Sequence, residues 1–291
     1  MMEVKKKPEP TFVGCNDDLV FIVPKELFTM KLNSEQKLEP KMAKKFSQYL
    51  RDTFKGFQLA NKTKYNNENN DKTETTSDFW ADFEKRAINE GVDLIGYVPV
   101  QEGYIFKDLP IIGKNAIVLG MEMKWNMIKN APGIECGIES FRVYDELGKV
   151  TIKLTEYLQQ KGYRTEAHHP FGGKLLYTAH AKAANLGYMG RNGLIVTPEF
   201  GPRQRWSIIT TDADIPKTKE MDYSEMSDFC ESCGACIENC IGGAVYDQPF
   251  HKGEDAEIIT HIDRNKCIES LLTNNYCSNC LKVCPQGKKR S

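Results

Sequence analysis

The sequence predicts a mixed α/β layer structure followed by a small unit organised by cysteine. Short apolar runs alternate with stretches of helical period ahead of residue 223. Eight of the ten cysteines lie after residue 229. At 291 residues the chain has room for one substantial core and a second, smaller domain, since domains commonly hold about 100–200 residues.

Along the first 60 residues, Leu19-Val20-Phe21-Ile22-Val23 reads as a strand stopped by Pro24, and Ala43, Phe46, Leu50 and Phe54 share one face of a helix. Residues 1–60 are therefore an N-terminal extension. Asn61 to Lys72 is too polar to repay its ordering entropy, so 61–76 is expected to be a flexible linker. Ser77 as N-cap, Trp80, Phe83 and Ala87 at helical spacing and Gly91 as the stop predict the next helix, and Val92–Tyr97 the strand after it. A further strand is expected at Ala116–Leu119. A helix over 144–160 carries Val150, Leu154, Tyr157 and Leu158 on one face, and Leu194–Val196 and Ser207–Thr210 add short β segments. This makes 77–222 the core and 223–291 the cysteine domain.

A formal charge of −1, from 39 basic and 40 acidic residues, sets up no global field for nucleic acid or an anionic membrane. No run approaches the roughly 18 uninterrupted apolar residues of a membrane helix. The basic residues of Met1–Pro8 have no apolar stretch after them and no paired arginines, so a cytoplasmic location is expected, with Lys288-Lys289-Arg290 a solvated end. In a reducing compartment, dense cysteine points to metal ligation rather than disulfides.

The first cysteine run, Cys230, Cys233, Cys236 and Cys240, has the spacing C-x2-C-x2-C-x3-C. The second, Cys267, Cys277, Cys280 and Cys284 before Pro285, has the spacing C-x9-C-x2-C-x3-C-P. In two-cluster bacterial ferredoxins the trailing cysteine of each run ligates the other cluster. That rule assigns Cys230, Cys233, Cys236 and Cys284 to one 4Fe–4S cluster and Cys267, Cys277, Cys280 and Cys240 to a second. Ile241 stands where a proline usually follows the first run, and the gap from Cys267 to Cys277 is longer than the usual two. Two zinc sites are the alternative, but zinc knuckles use pairs of pairs. Cys15 and Cys136 stand alone and read as small buried hydrophobes.

Leu158 to Arg164, the stretch Leu186-Gly187-Tyr188-Met189-Gly190-Arg191-Asn192-Gly193 running on to Pro198 and Gly201-Pro202-Arg203, and Thr211-Asp212 sharpen the picture. Together with both cysteine runs, over roughly 78–290, they resemble the cobalamin-dependent superfamily of reductive dehalogenases and epoxyqueuosine reductase. The resemblance implies a nitroreductase-like cobalamin-binding core joined to a ferredoxin-like domain with two 4Fe–4S clusters. It also implies a low-potential electron donor of ferredoxin or flavodoxin type and a small-molecule substrate. Gly187, Tyr188, Gly190, Arg191, Asn192, Gly193, Pro198 and Gly201 are the expected cofactor contacts: glycines let the backbone approach a flat ligand, and helix ends there would offer free N–H groups.

Epoxyqueuosine reductases carry an aspartate shortly before the Leu-Gly motif. Here that stretch reads His168-His169-Pro170-Phe171-Gly172-Gly173-Lys174, which favours the dehalogenase-like side, where a tyrosine with a nearby basic residue serves as acid. Tyr144 is the expected tyrosine and Arg203 its cation, with His168 a further candidate acid titrating near neutrality. The expected function is reductive removal of a halogen or oxygen from a small organic substrate. The alternatives are an electron-transfer protein serving a partner corrinoid or flavin protein, and a binding protein stapled by its clusters.

Overall fold

The structure is a computed structural model describing residues 8–20, 39–67, 70–251 and 259–287. The strand expected at Leu19–Val23 lies mostly outside the described residues, as does Lys288-Lys289-Arg290; Leu19 itself is buried. Among the described residues no helix is long and apolar enough to cross a membrane.

At the N-terminal side, β1 (Phe12–Val13) pairs with β3 (Pro110–Ile111). The central sheet contains β2 (Leu94–Pro99), β4 (Asn115–Glu122), β5 (Thr165–His168) and β8 (Gln204–Thr211) in the order β2-β4-β8-β5, all antiparallel. Register divides its apolar residues by the two-residue period of a strand. Ile117, Leu119 and Ile209 join one core cluster; Ala116, Val118 and Ile208 join another on the opposite face. Because both faces are covered, β4 is buried at every position except Glu122.

Helix α1 (Pro40–Ala60) forms where the apolar stripe predicts it and packs on the long α4 (Ile134–Gln160), with buried Phe46 against Ile134 and Ile138. Helix α2 (Ser77–Asn89) is capped by Thr76, whose hydroxyl accepts from Phe79 N, one residue ahead of the expected cap. It ends at Gly91, in the left-handed region at φ +95°. After β4 come α3 (Trp125–Ile128) and α4, which begins ten residues earlier than its apolar stripe suggests. The early turns are hidden in sequence because they are buried on several sides: Cys136, Gly137, Ile138, Glu139 and Ser140 are all enclosed. Gly137 is needed there, since a Cβ would lie 2.6 Å from the Tyr276 ring.

The polar stretch expected to be a flexible linker is bonded to the core instead. Asn67 Nδ2 donates to Thr165 O at 2.9 Å, and Asn70 Nδ2 donates to Gln159 O at 3.2 Å and Tyr163 O at 3.1 Å. Side-chain amides here satisfy carbonyls at the end of α4 and the start of β5, doing by hydrogen bonding what the stretch cannot do by apolar burial.

Beyond β5 lie α5 (Tyr177–Ala183) and the two-stranded hairpin of β6 (Tyr188–Met189) and β7 (Ile195–Val196). The cysteine domain contains α6 (Ser224–Cys233), α7 (Ala235–Glu238), the β9 (Val245–His251) and β10 (Ile259–Ile262) hairpin, α8 (Arg264–Thr273) and α9 (Asn279–Val283).

Candidate redox site

Local geometry arranges the first cysteine run. Cys230 and Cys233 lie in α6, Gly234 turns the chain at φ +63°, and Cys236 follows in α7. A side chain at that left-handed position would be strained, so glycine suits the reversal. Cys284, at the end of α9, lines one cavity with Cys230, Cys233 and Cys236 and lies in the electrostatic field of all three. Burial pushes its thiol up to about 11.

In the second set, Cys280 is half-buried and packs against the main core cluster. Burial first, and then Cys267, Cys277, Cys236 and Cys240, push its thiol up to about 12. Cys267 feels Cys240 and Cys277. Cys284 thus shares a cavity with the first three thiols, and Cys240, Cys267, Cys277 and Cys280 act on one another, with Cys236 of the first run also within reach of Cys280. The long gap is taken up by α8, which contains Cys267 and is capped by Asp263, and by Asn275 and Tyr276, both left-handed at φ +47° and +59°. Tyr276 anchors this turn by packing into the Gly137 notch and edge-on to Phe46 at 5.9 Å. Ala244 N donates to Cys240 Sγ at 3.1 Å. Cys136 is buried, as expected, with its thiol pushed up to about 11 by burial; Cys15 is exposed, contrary to expectation, on the segment bridged to Phe106 and Lys107.

The glycine-rich stretch of the core sits against the first set. Arg191, Asn192 and Val196 line the same cavity as the four thiols. Arg191 Nη1 donates to Glu231 O at 3.1 Å and Nη2 donates to Asp247 O. The glycines, however, make room for the chain itself rather than for an open ligand surface. A Cβ on Gly187 would lie 2.4 Å from Val196 O, one on Gly190 would lie 2.7 Å from Val196 Cγ2, and Gly193 and Gly201 face His261 and Gln286. The segment is the β6–β7 hairpin, with no helix end to offer free N–H groups. Pro198 borders a groove of about 690 Å³ with Met221, Tyr223, Phe229 and Pro285, beside the same cysteines.

Three predicted catalytic residues part company. Arg203 is 3% exposed; its Nη1 donates to Glu122 Oε1 at 2.8 Å and Met123 O at 2.9 Å, and its guanidinium lies over Trp125. It is held by this buried pair and does not meet Tyr144. The cation that does is Arg205, with its guanidinium carbon 5.1 Å from the centre of the Tyr144 ring and Nη2 donating to Ser140 Oγ at 3.1 Å. Nothing in the spacing separates Arg205 from Arg203. Tyr144 also packs edge-on to Phe141 and Phe171 at 5.7 and 5.5 Å.

His168 cannot serve as an acid near neutrality. It is buried in β5, bonded to Thr210 Oγ1 at 3.0 Å, and desolvation holds it well below the usual imidazole range. Burial likewise holds His169 down to about 3. The stretch around them has no apolar run, which conceals a buried strand from sequence reading.

Unpartnered buried polar atoms mark two places among the described residues. Asp145 Oδ1 and His169 Nε2 lie along the α1–α4 seam, and Arg205 Nε lies beneath Tyr144. Tyr188 Oη, Gln204 Oε1 and His261 Nδ1 lie about the β6–β7 hairpin where it meets the cysteine domain. Buried polar groups ordinarily have partners. The Tyr188 group lies beside the thiols and suits cluster sulfur, whereas His169 Nε2 is closed in between the helices, 2.0 and 2.9 Å from where a Cβ on Gly148 or Gly56 would lie, which leaves no room for a ligand at that atom.

Residues 209–288 match the 4Fe-4S dicluster domain family. The tetrachloroethene reductive dehalogenase of Desulfitobacterium hafniense is 29% identical over 223 residues, covering 71% of this chain and 39% of that protein. The epoxyqueuosine reductase of Lactococcus garvieae is 35% identical over 68 residues, 23% of this chain and 18% of that protein. The catabolic reductive dehalogenase NpRdhA superposes with a TM-score of 0.71 at 17% identity, covering 97% of this chain and 44% of that one. The chain therefore spans less than half the length of the curated dehalogenases it matches. In its sequence and in its fold, a mixed α/β core followed by a ferredoxin-like 4Fe–4S domain, the chain is a homologue of the reductive dehalogenases and epoxyqueuosine reductases.

Proposed function

We propose that this chain is a cobalamin- and iron–sulfur-dependent reductase that removes a halogen or an oxygen from a small organic substrate, using two 4Fe–4S clusters charged by a low-potential ferredoxin or flavodoxin. The observation that carries the reading is the closure of Cys284 onto Cys230, Cys233 and Cys236 against the β6–β7 hairpin, which brings one thiol set to the wall of the core. Relatives described as B12-dependent dehalogenases support the choice of a corrin. When bound, the corrin supplies a low-valent cobalt nucleophile and the clusters supply single electrons.

The chain's own part is the proton. Tyr144 holds it at Oη, and the Arg205 guanidinium over the ring stabilises the phenolate left after donation. Phe141 and Phe171 fix the ring and keep its surroundings apolar, which strengthens the charge–ring interaction. Of the unpartnered atoms on this side, Arg205 Nε, beside the Tyr144 ring, would be the one to meet a polar group of the corrin.

Anaerobically prepared protein loaded with cobalamin and reduced chemically should release halide from tetrachloroethene or 3-bromo-4-hydroxybenzoate, compounds named for its relatives. Tyr144→Phe should lower that rate about 10²–10⁴-fold with iron and cobalt contents unchanged. Failure to take up cobalt would sink the reading. The closing of β7 over Gly187 and Gly190, which fills the space expected for a flat ligand, favours the alternative of an electron-transfer protein serving a partner corrinoid or flavin protein, which would hold clusters, take up no cobalt and need a second polypeptide for turnover.

A further inference from the structure

Tyr188 enters the sequence argument as a corrin contact, but its side chain points elsewhere. It sits on β6, paired to Val196 of β7, and Val196 lines the cavity of Cys230, Cys233, Cys236 and Cys284. The residue is 7% exposed, and its Oη is sealed from solvent without a hydrogen-bond partner meeting full geometry. Its hydroxyl lies within hydrogen-bonding approach of Cys230 and near Cys284 and Cys233, three members of one thiol set.

A buried phenol facing sulfur ligands has one useful role. Ligating thiolates and bridging sulfides only accept hydrogen bonds, so the O–H must donate. We propose that Tyr188 donates a hydrogen bond to the sulfur framework of the cluster held by Cys230, Cys233, Cys236 and Cys284, and thereby raises the reduction potential of that cluster. The sign follows from charge. Reduction adds one negative charge to the cluster, a donor to sulfur stabilises the more negative state more, and hydrogen bonds to the sulfurs are a principal determinant of such potentials. Arg191 acts in the same direction, lining the same cavity with its guanidinium in the field of Cys236. At the second set, the influences on Cys267 and Cys280 are their own burial and neighbouring thiols, and Cys240 Sγ accepts from the backbone N–H of Ala244, so the phenol and the guanidinium are the side-chain groups that set the first set apart. The two clusters are thereby made unequal, with the pair at the hairpin biased to hold the electron.

The proposal rests on the reading of these thiols as cluster ligands, and its test separates the two. The full chain is reconstituted anaerobically and titrated potentiometrically with paramagnetic resonance detection, for wild type and Tyr188→Phe. One cluster signal should move to lower potential in the variant and the other should stay, at iron and acid-labile sulfide contents equal to wild type. Incorporation of 3-fluorotyrosine at 188, a stronger donor of nearly the same size, should move the same signal to higher potential, which keeps the test open if the phenylalanine variant loses its cluster. Full clusters with potentials unmoved by either change would overturn the hydrogen bond alone. Wild-type protein that takes up no labile sulfide would overturn both it and the cluster reading.

Discussion

The central sheet and the cysteine domain reach order by opposite routes. In the sheet, β4 and β8 are enclosed on both faces, and Leu119 of β4 with Phe83, Leu147 and Leu158 of the helices packed on it leave no measurable surface. Across the described part of 223–287 the buried apolar residues are Ala244 and Leu281, while Phe229, Ile241, Phe250 and Ile259 are exposed. A unit so poor in burial has little hydrophobic free energy to set against its chain entropy, and metal–sulfur bonds are the natural substitute. The contrast teaches that one polypeptide holds a region ordered by burial and another whose burial is too sparse to order it without further bonds.

The sharpest way to break that contrast is to remove iron. Chelation under reducing conditions should abolish protection from hydrogen exchange across α6, α7, α8 and α9 while leaving β4 and β8 protected, as read by mass spectrometry. Equal protection before and after would mean that packing, through contacts such as Leu281 and Tyr276 against α4, is enough. In the opposite direction, Phe83→Ala should destabilise the core by about 3–5 kcal/mol in denaturant titration, with iron bound per folded chain unchanged.

Acid should separate the regions more gently. His169 is held to about 3 in the folded protein against roughly 6.5 unfolded, so the unfolded chain binds the extra proton between those values. Its stabilising contribution is complete above about pH 6.5 and falls by up to about 1.4 kcal/mol per unit as pH drops toward 3. His169→Asn should flatten the pH dependence of core unfolding by that slope, measured by denaturant titration between pH 4 and 7.

Much of the architecture is legible residue by residue. The stripes of α1 and α2, the apolar run of β4 and the left-handed Gly91 all act locally, so their spacing suffices. The strand at Thr165–His168 is not legible, because Thr165, Glu166 and His168 are polar and are buried only by virtue of partners elsewhere: Asn67 for the Thr165 backbone N–H, Lys174 for Glu166 and Thr210 for His168. The mobile linker is misjudged for a related reason, since Asn67 and Asn70 are polar toward water in the sequence but bonded to α4 and β5 in the fold.

What the amino-acid order determines alone is the local spacing within each cysteine run and the alternation of strands and helices, because both follow from short covalent spacings that the backbone cannot escape; the meeting of Cys284 with the first run is made by the fold. What only the tertiary structure decides is which charge meets which ring and which polar atom loses its water. Arg203 finds Glu122 across 81 positions of chain, leaving Arg205 to Tyr144, and Tyr188 turns its hydroxyl toward cysteines some forty residues or more downstream. Desolvation and pairing depend on the whole surroundings of a group, and those are assembled only when distant segments pack.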